Sequence, residues 1–311
     1  MTDTDFVLEA QAADYVYWVE RLPPRYGGAC AWAAPITVGG KLHELLYAQK
    51  ESVVMTSATL SVNRSLAHIK KRLGVDLVPP ERLGEVVLGS PFEYARQCLA
   101  MAPTFLPDPD DGQGGYAEAL AHLLADVFRR TSGRALGLFT SYDMLTRVAA
   151  ALRRDMAGDG IAILVQGESG SREAILDAFR TAGSAVLLGT HSFWEGVDVV
   201  GEALSCLVVA RLPFAVFTDP IVEARCQQVE AEGESAFMGF SVPNAVIKLR
   251  QGFGRLIRSR SDRGIVIIAD RRIVARRYGR WFCSSLPVPV RGMPDGEQFL
   301  SVIESFFESE A

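Results

Sequence analysis

The chain has 311 residues, of which 49% are hydrophobic and 22% charged, and its formal net charge is −5. This composition allows a sizeable core in one large or two ordinary domains. No run of about 18 apolar residues could span a membrane, and the acidic first twenty residues lack the basic start and apolar stretch of a signal peptide. We therefore expect a cytoplasmic protein without a membrane partner.

In the first part of the chain the pattern of apolar residues is weak. It predicts strands over residues 15–19 and 52–56 and a helix over residues 61–73. The segment 104–115 is rich in Pro, Asp and Gly, which is typical of a loop. The sequence thus predicts only a partial α/β segment here.

From about residue 134 onward, short apolar runs alternate with helical patterns. The runs, predicted as strands, cover residues 135–140, 161–165, 185–189, 204–209 and 264–269. Helices are predicted over residues 142–154, 171–181 and 296–307. Runs that are apolar throughout and separated by helices indicate a parallel sheet covered on both faces. The predicted fold is therefore an α/β domain of the RecA-like or doubly wound type.

Two of these predicted strands end in polar loops, and ligands bind at the carboxyl ends of strands in parallel sheets. Residues 190–198 contain two hydroxyls, one histidine, two carboxylates and a glycine, and residues 139–142 bring hydroxyls to the start of a predicted helix. Hydroxyls and backbone N–H groups suit phosphates, while carboxylates suit a ribose hydroxyl or a water molecule. Ordinary helix capping explains the hydroxyls, including that of Ser141, equally well.

A helix-length stretch over residues 242–260 separates its side chains by chemistry. On a helical wheel Asn244, Gln251, Arg255 and Arg258 share one face, and apolar side chains occupy the opposite one. Two guanidiniums one turn apart are typical of a clamp for phosphate oxygens. A solvated face with salt bridges is the alternative.

Positive charge is concentrated in the same part of the chain. Residues 248–280 carry eleven basic and two acidic side chains, so the rest of the chain sums to −14. This asymmetry indicates a local site for phosphates on an otherwise acidic body. Charge alone leaves open whether the phosphates belong to a nucleotide or to a nucleic acid.

The cysteines indicate neither a disulfide framework nor a metal centre. All five are far apart, and no C-x-x-C pair occurs. Zinc and iron–sulfur sites use closely spaced pairs. We therefore expect reduced thiols, no metal ligands and no iron–sulfur cluster in this chain.

Taken in order, these segments resemble the motifs of the DinG/XPD-type helicases of superfamily 2. Residues 57–60, after an apolar strand, resemble motif III, and residues 139–141 resemble motif IV. Residues 192–198 are very similar to motif V, and residues 251–258 to motif VI. Residues 211–214 fit the segment that the family places between the last two motifs. The resemblance covers nearly the full chain.

The resemblance implies the C-terminal motor lobe of an ATP-dependent 5′→3′ DNA helicase of the DNA repair or replication type. In this family Arg255 and Arg258 correspond to arginine fingers that reach the γ-phosphate of ATP, and Gln251 belongs to the same network. The implied ATP-binding residues of the same cleft are Glu195, Gly196 and Asp198.

The resemblance also implies contacts with single-stranded DNA and between the two lobes of the motor. Ser141, Thr190 and Ser192 would meet backbone phosphates of the DNA. Ser57 and Thr59 would couple the two lobes. These roles are carried over from the family, position by position.

The sequence departs from the family by lacking a P-loop and an Asp-Glu-x-His box. The nearest match to a P-loop is Gly39-Gly40-Lys41, where Pro35 and Leu42 stand at positions that require Gly and Ser or Thr. We therefore expect residues 1–85 to be an incomplete tail of the first lobe with motif III, and residues 86–311 to be the second RecA-like lobe with motifs IV, V and VI.

This organisation predicts a chain that is inactive alone and needs the first lobe as a partner. The ligands of the Mg²⁺ that accompanies ATP are expected in that first lobe. Without its neighbours, the predicted strand 53–56 would leave unpaired edges, so this segment is expected to pack irregularly or to self-associate. One alternative is a non-catalytic module that binds single-stranded nucleic acid through residues 248–280. Another is a degenerate α/β nucleotide-binding or transferase domain whose motif matches are accidental.

Overall fold

The computed structural model describes residues 3–23, 26–109, 115–194 and 204–309. The chain divides into two compact units. The first comprises Met1–Val87 and Phe214–Ala245, and the second comprises Leu88–Pro213 and Val246–Ala311. The assignment of residues 1–85 and 86–311 to two helicase lobes stays a prediction. In the described part of the chain, no helix is long and apolar enough to cross a membrane.

The regular elements are as follows. The strands are β1 (Tyr15–Arg21), β2 (Ala29–Pro35), β3 (Cys98–Pro103), β4 (Ala135–Leu138), β5 (Ala162–Val165), β6 (Ala185–Gly189), β7 (Cys206–Val209), β8 (Gly264–Ile268) and β9 (Val290–Met293). The α-helices are α1 (Asp3–Glu9), α2 (Gly39–Leu42), α3 (Ala67–Leu73), α4 (Tyr94–Gln97), α5 (Tyr116–Arg130), α6 (Tyr142–Asp155), α7 (Arg172–Thr181), α8 (His191–Trp194), α9 (Pro220–Ala231), α10 (Val242–Phe253), α11 (Arg272–Ala275), α12 (Gly279–Ser285) and α13 (Gly296–Glu308).

A seven-stranded parallel sheet with the order β5-β6-β4-β7-β8-β3-β9 forms the second unit. The register aligns the last residues of its central strands, because Leu138 pairs with both Gly189 and Val209. Val209 in turn pairs with Ile268. The loops that follow these strands therefore leave the sheet along one line, which we call the carboxyl edge.

Helices cover this sheet because its strands are apolar on both faces. Val186, Leu187 and Leu188 are consecutive and all fully buried. One face packs against α5, α6 and α13 in a single hydrophobic cluster. On the α10 side, a Cβ atom at Gly252 would lie 3.1 Å from Leu138 Cδ1. The α/β, RecA-like architecture predicted from the sequence is confirmed.

The first unit is smaller and combines two distant segments of the chain. Its antiparallel hairpin of β1 and β2 pairs Trp18 with Trp32, whose rings stack with centroids 6.0 Å apart. Helix α9 joins the N-terminal segment through Arg225, whose Nε donates to Ile36 O at 2.8 Å. The ammonium of Lys71 lies 2.7 Å from a carboxylate oxygen of Glu232.

Most predicted elements of the second unit form within two residues of their expected ends. Strands β3 and β9, which complete the sheet, and β2 of the hairpin were not predicted. Within the predicted loop 104–115, residues 110–114 lie outside the described part. The predicted strand 52–56 was wrong. These residues have no strand partner, and Val54 is 86% exposed.

Two predicted helices are shorter than expected. The helix predicted over residues 61–73 begins at Ala67. The helix predicted over residues 242–260 ends at Phe253, so its Asn244 does not share a helix face with Arg255. The amide oxygen of Asn244 instead accepts a hydrogen bond from Arg72 Nη1 at 2.7 Å.

Candidate functional site

At one end of the carboxyl edge, the side chain of Gln166 joins three neighbouring loops. Its Nε2 donates to Tyr142 Oη at 2.6 Å and to Ser192 Oγ at 3.0 Å. Its Oε1 accepts from the backbone N–H of Thr190 at 2.6 Å and from Thr190 Oγ1 at 3.1 Å. We call Tyr142, Gln166, Thr190 and Ser192 the Gln166 cluster.

The strands dictate the position of this cluster. Gln166 directly follows β5, and its backbone N–H donates to Leu188 O of β6 at 3.0 Å. Thr190 directly follows Gly189, the last residue of β6. A larger residue does not fit at position 189, because a Cβ atom there would lie 2.6 Å from the Phe193 ring. Sequence reasoning singled out Thr190 and Ser192 but missed Gln166. Its place directly after an apolar run was the signal that could have found it.

Within the Gln166 cluster, the inner and outer side chains differ in what they can reach. Thr190 is buried, with 4% of its surface exposed, and both of its polar groups are satisfied by Gln166. Ser192 and Tyr142 are exposed. The outer hydroxyls can meet an anion from solvent, whereas Thr190 acts by holding Gln166 in place.

Ser141 lies beside the Gln166 cluster and caps α6. Its Oγ accepts from the backbone N–H of Met144 at 3.3 Å. The residue is exposed, and a hydroxyl oxygen that accepts one hydrogen bond still carries a proton to donate. The capping role that the sequence left open is therefore present, and it leaves the hydroxyl proton available to a phosphate.

Arg255 and Arg258 lie in the loop that follows α10, residues 254–263, which we call the arginine loop. The carboxylate of Asp262 accepts from the backbone N–H of Arg258 at 2.7 Å and of Ser259 at 2.8 Å. This local capture of backbone groups keeps a helix from forming over residues 258 and 259. Helix α10 itself ends at Phe253, where the backbone N–H groups of Arg255 and Leu256 donate only three residues back, to Gly252 O and Phe253 O.

A buried amide holds the same loop from the other side. Gln97, with 8% of its surface exposed, donates from Nε2 to the carbonyl oxygens of Ser259 at 2.9 Å and Asp262 at 2.8 Å. The carbonyl oxygen of Arg260 also lies 3.2 Å from Gln97 Nε2. Gln97 had no place in the sequence reasoning, since a lone glutamine before an unpredicted strand carries no signal.

The two arginines of interest are half-buried in this loop, and so is Gln251 on the last turn of α10. Burial lowers the pKa of the Arg258 guanidinium, and the Asp262 carboxylate opposes that shift. The guanidinium remains charged at neutral pH. The loop can therefore present fixed positive charge.

The remaining predicted residues lie elsewhere. Glu195, Gly196 and Asp198 fall outside the described residues. Ser57 and Thr59 belong to the first unit, where their hydroxyl oxygens are 3.3 Å apart and exposed. In the described ranges, no group of three or more His, Cys, Asp or Glu side chains could hold a metal ion.

Comparison with known sequences places this architecture in a family. Residues 124–288, more than half of the chain, match the model of the helicase C-terminal domain. ATP-dependent DNA helicase YoaA of Escherichia coli (strain K12) is 39% identical over 279 residues, which are 90% of this chain and 42% of that protein. The protein named 3′-5′ exonuclease DinG of Bacillus subtilis (strain 168) is 37% identical over 288 residues, 91% of this chain and 31% of that protein. The chain spans less than half the length of these curated relatives.

Solved structures show the same fold. The apo structure of XPD superposes with a TM-score of 0.62 at 16% identity and covers 93% of this chain and 57% of that chain. The structure of S. tokodaii Xpd4 gives a TM-score of 0.58 at 17% identity and covers 86% of this chain and 49% of that chain. The match of residues 124–288 shows that the chain belongs to the family of the helicase C-terminal domain.

Proposed function

We propose that this chain is the C-terminal motor lobe of an ATP-dependent 5′→3′ DNA helicase. In this proposal Arg255 and Arg258 reach the γ-phosphate of an ATP molecule held by a separate first lobe. The observation that carries it is the arginine loop, whose backbone is fixed by Asp262 on one side and by Gln97 on the other.

The fixed loop supports a catalytic role because preorganised charge is effective on a transferring phosphoryl group. Donors already held in position need no reorganisation when negative charge develops. An arginine finger increases the rate of phosphoryl transfer by about 10³ to 10⁵ in well-studied NTPases. Gln251 lies one turn before Arg255 along the chain, and we assign it to the same network.

The Gln166 cluster supports contact with single-stranded DNA. Its exposed hydroxyls, together with that of Ser141, can donate to backbone phosphates, which position a strand without reading its sequence. Ser192 is the central contact because Gln166 fixes its Oγ. Thr190 contributes indirectly by fixing Gln166.

Other parts of the proposal rest on the family's motifs. Glu195, Gly196 and Asp198 line the ATP cleft and link the nucleotide to the bound strand. Ser57 and Thr59 couple the two lobes.

ATP and its Mg²⁺ need groups that this sequence does not provide. It contains no P-loop and no Asp-Glu-x-His box. Since the described residues contain no suitable group of ligands for a metal ion, no step of the proposal places Mg²⁺ on them. We propose that the 311-residue chain does not hydrolyse ATP by itself. It acts with a first lobe that supplies the P-loop and the Asp-Glu-x-His box.

ATPase activity stimulated by single-stranded DNA tests this proposal. It is measured on the chain alone, on a separately expressed first lobe from a DinG-type relative, and on their mixture. We expect activity in the mixture only, and a loss of about a thousandfold in Arg255→Ala or Arg258→Ala. Arg260→Ala is the matched control, because Arg260 lies in the same loop with an exposed side chain.

Two results would contradict the proposal. Robust ATPase activity from the chain alone would mean that it contains its own phosphate-binding site. Equal losses in Arg255→Ala and Arg260→Ala would mean that general positive charge in the arginine loop, rather than a placed finger, is what matters.

A further inference from the structure

A cavity of about 220 Å³ opens at the carboxyl edge, away from the Gln166 cluster. It is lined by Asp108, Arg271, Arg272, Ala275 and Arg276, and we call it the arginine cavity. Asp108 follows β3, and the other four follow β8. Since β3 and β8 are neighbours in the sheet, the lining comes from two adjacent loops of the same edge.

One wall of the arginine cavity is built rigidly. Asp270 is fully buried and binds Arg272 through two contacts, from Nε to Oδ1 at 2.8 Å and from Nη2 to Oδ2 at 2.6 Å. Its Oδ2 also accepts from the backbone N–H of Leu212 at 2.9 Å. The Arg272 guanidinium is therefore held in one orientation, as a planar donor group that faces the cavity.

The local charge favours an anion. Three arginines and one aspartate line the cavity, and the half-buried Arg211 interacts electrostatically with Arg272, Asp270 and Asp108. Four guanidiniums against these two carboxylates leave an excess of two positive charges. Burial lowers the pKa of Arg211, and the nearby Arg272 lowers it further. A bound anion would relieve this repulsion between arginines.

The shape and lining point to a phosphate group as that anion. Guanidinium forks match the oxygens of phosphate. Among the described residues, those that line the cavity are charged or small rather than aromatic, which suits a phosphate better than a stacked base. Since one water needs about 10–15 Å³ on the same measure, a volume of about 220 Å³ has room for a phosphate group together with its waters.

The sheet places this cavity on a line with the Gln166 cluster. Strand β4, which leads to Tyr142, is separated from β8 only by β7. Ser192, the central contact of the Gln166 cluster, follows β6, which is three strand spacings from β8. Three spacings amount to about 14 Å, which is about four nucleotide steps at the spacing of one stacked strand, about 3.4 Å. One DNA strand can therefore reach both sites along the carboxyl edge.

We propose that the arginine cavity binds a backbone phosphate of the same single strand that the Gln166 cluster contacts. Arg271 and Arg276, which are exposed, supply contacts from the solvent side, and Arg272 supplies the fixed one. The inference rests on the single-stranded DNA binding proposed above and extends it by about four nucleotides along the carboxyl edge.

Fluorescence anisotropy with labelled oligothymidylate at several salt concentrations tests the inference on the full chain. The probes are about 16 and about 4 nucleotides long, the two ends of the usual footprint of a single-strand-binding domain. For the long probe we expect Arg271→Ala and Arg276→Ala each to weaken binding about tenfold and to reduce the salt slope by about 0.7. The short probe has about three internucleotide phosphates, which cover about 7 Å of a stacked strand and so cannot reach both sites. Its binding at the Gln166 cluster should therefore survive these substitutions.

Matched variants separate the two proposals. Arg180→Ala is the control, because Arg180 is exposed near the end of α7, just before the amino end of β6. Gln166→Leu should weaken the binding of both probes. If the chain binds neither probe, the proposed DNA contact itself fails. If Gln166→Leu weakens binding and the two arginine substitutions do not, the result supports DNA contact at the Gln166 cluster and contradicts phosphate binding in the arginine cavity.

A further arm distinguishes a backbone phosphate from free phosphate. Inorganic phosphate is titrated against the chain and followed by phosphorus NMR line broadening. Broadening that Arg271→Ala abolishes, together with an unchanged salt slope for the long probe, would assign the cavity to a free phosphate and would overturn the inference. A reduced salt slope in both arginine variants would support it.

Discussion

Replacing Gln97 by leucine tests how firmly the arginine loop is held. Leucine keeps the approximate size of the side chain and removes its N–H donors. The carbonyl oxygens of Ser259 and Asp262 then lose their partner, while Arg255 and Arg258 keep their own side chains. The substitution therefore changes the support of the loop and not the charges that it presents.

The expected loss of stability follows from the two shorter hydrogen bonds. The Nε2 atom of Gln97 lies 2.9 Å from Ser259 O and 2.8 Å from Asp262 O. A hydrogen bond contributes about 1 kcal/mol net, and a buried carbonyl left without a donor costs about 2 kcal/mol. The free energy of unfolding should fall by about 2 kcal/mol if water reaches both carbonyls, and by about 4 kcal/mol if it reaches neither. Since domains are stable by about 5–15 kcal/mol, the variant should still fold.

Unfolding in urea, followed by alkylation of the Cys206 thiol, measures this change. Cys206 is fully buried in the sheet of the same unit, so its reactivity reports the unfolding of that unit alone. Hydrogen exchange of the arginine loop should also become faster in the variant. Gln298→Leu is the matched control, because Gln298 is exposed on α13. The reasoning is refuted if Gln97→Leu and the control change the free energy of unfolding equally.

Two further outcomes test the second unit. Asp270→Ala should lower its free energy of unfolding by about 3–5 kcal/mol, because Arg272 would lose its buried partner; a loss below about 1 kcal/mol in urea unfolding would contradict the buried pair. The thiols of Cys98 and Cys206 should resist alkylation of the native chain at mildly alkaline pH and react once it unfolds. Burial raises the pKa of both thiols, that of Cys98 to about 12. Rapid alkylation of either thiol in the native chain, detected by mass spectrometry, would contradict their burial in the sheet.

The centre of the fold could be predicted because each central strand is buried on both faces. Runs such as 185–189 contain no polar residue, and their short length between helical patterns favours a buried strand over a buried helix. Strand β9 gives no such signal, since it lies at the edge of the sheet and its Arg291 and Gly292 are exposed. Strand β3 is also a buried apolar run, but its Cys, Ala and Met side chains are not the β-branched types that are typical of strands, and it ends in a proline.

The candidate site was only partly predictable, for a different reason. Periodicity places Arg255 and Arg258 on a helix face, but α10 ends at Phe253, and the helix does not resume because Asp262 captures the backbone N–H groups of Arg258 and Ser259. That competition depends on the position of one carboxylate four residues away. Gln97 acts across a long stretch of sequence, which no local pattern reports.

The role of the arginines as fingers is the central claim, and the affinity for a transition-state analogue tests it most directly. ADP alone and ADP with aluminium fluoride, which mimics the transferring phosphoryl group, are titrated into the assembled pair of lobes. A residue that acts on the transition state should affect only the analogue. The account predicts that Arg255→Ala and Arg258→Ala weaken the analogue about a thousandfold and leave the affinity for ADP nearly unchanged. Equal affinity of the wild-type and variant pairs for the analogue would contradict it.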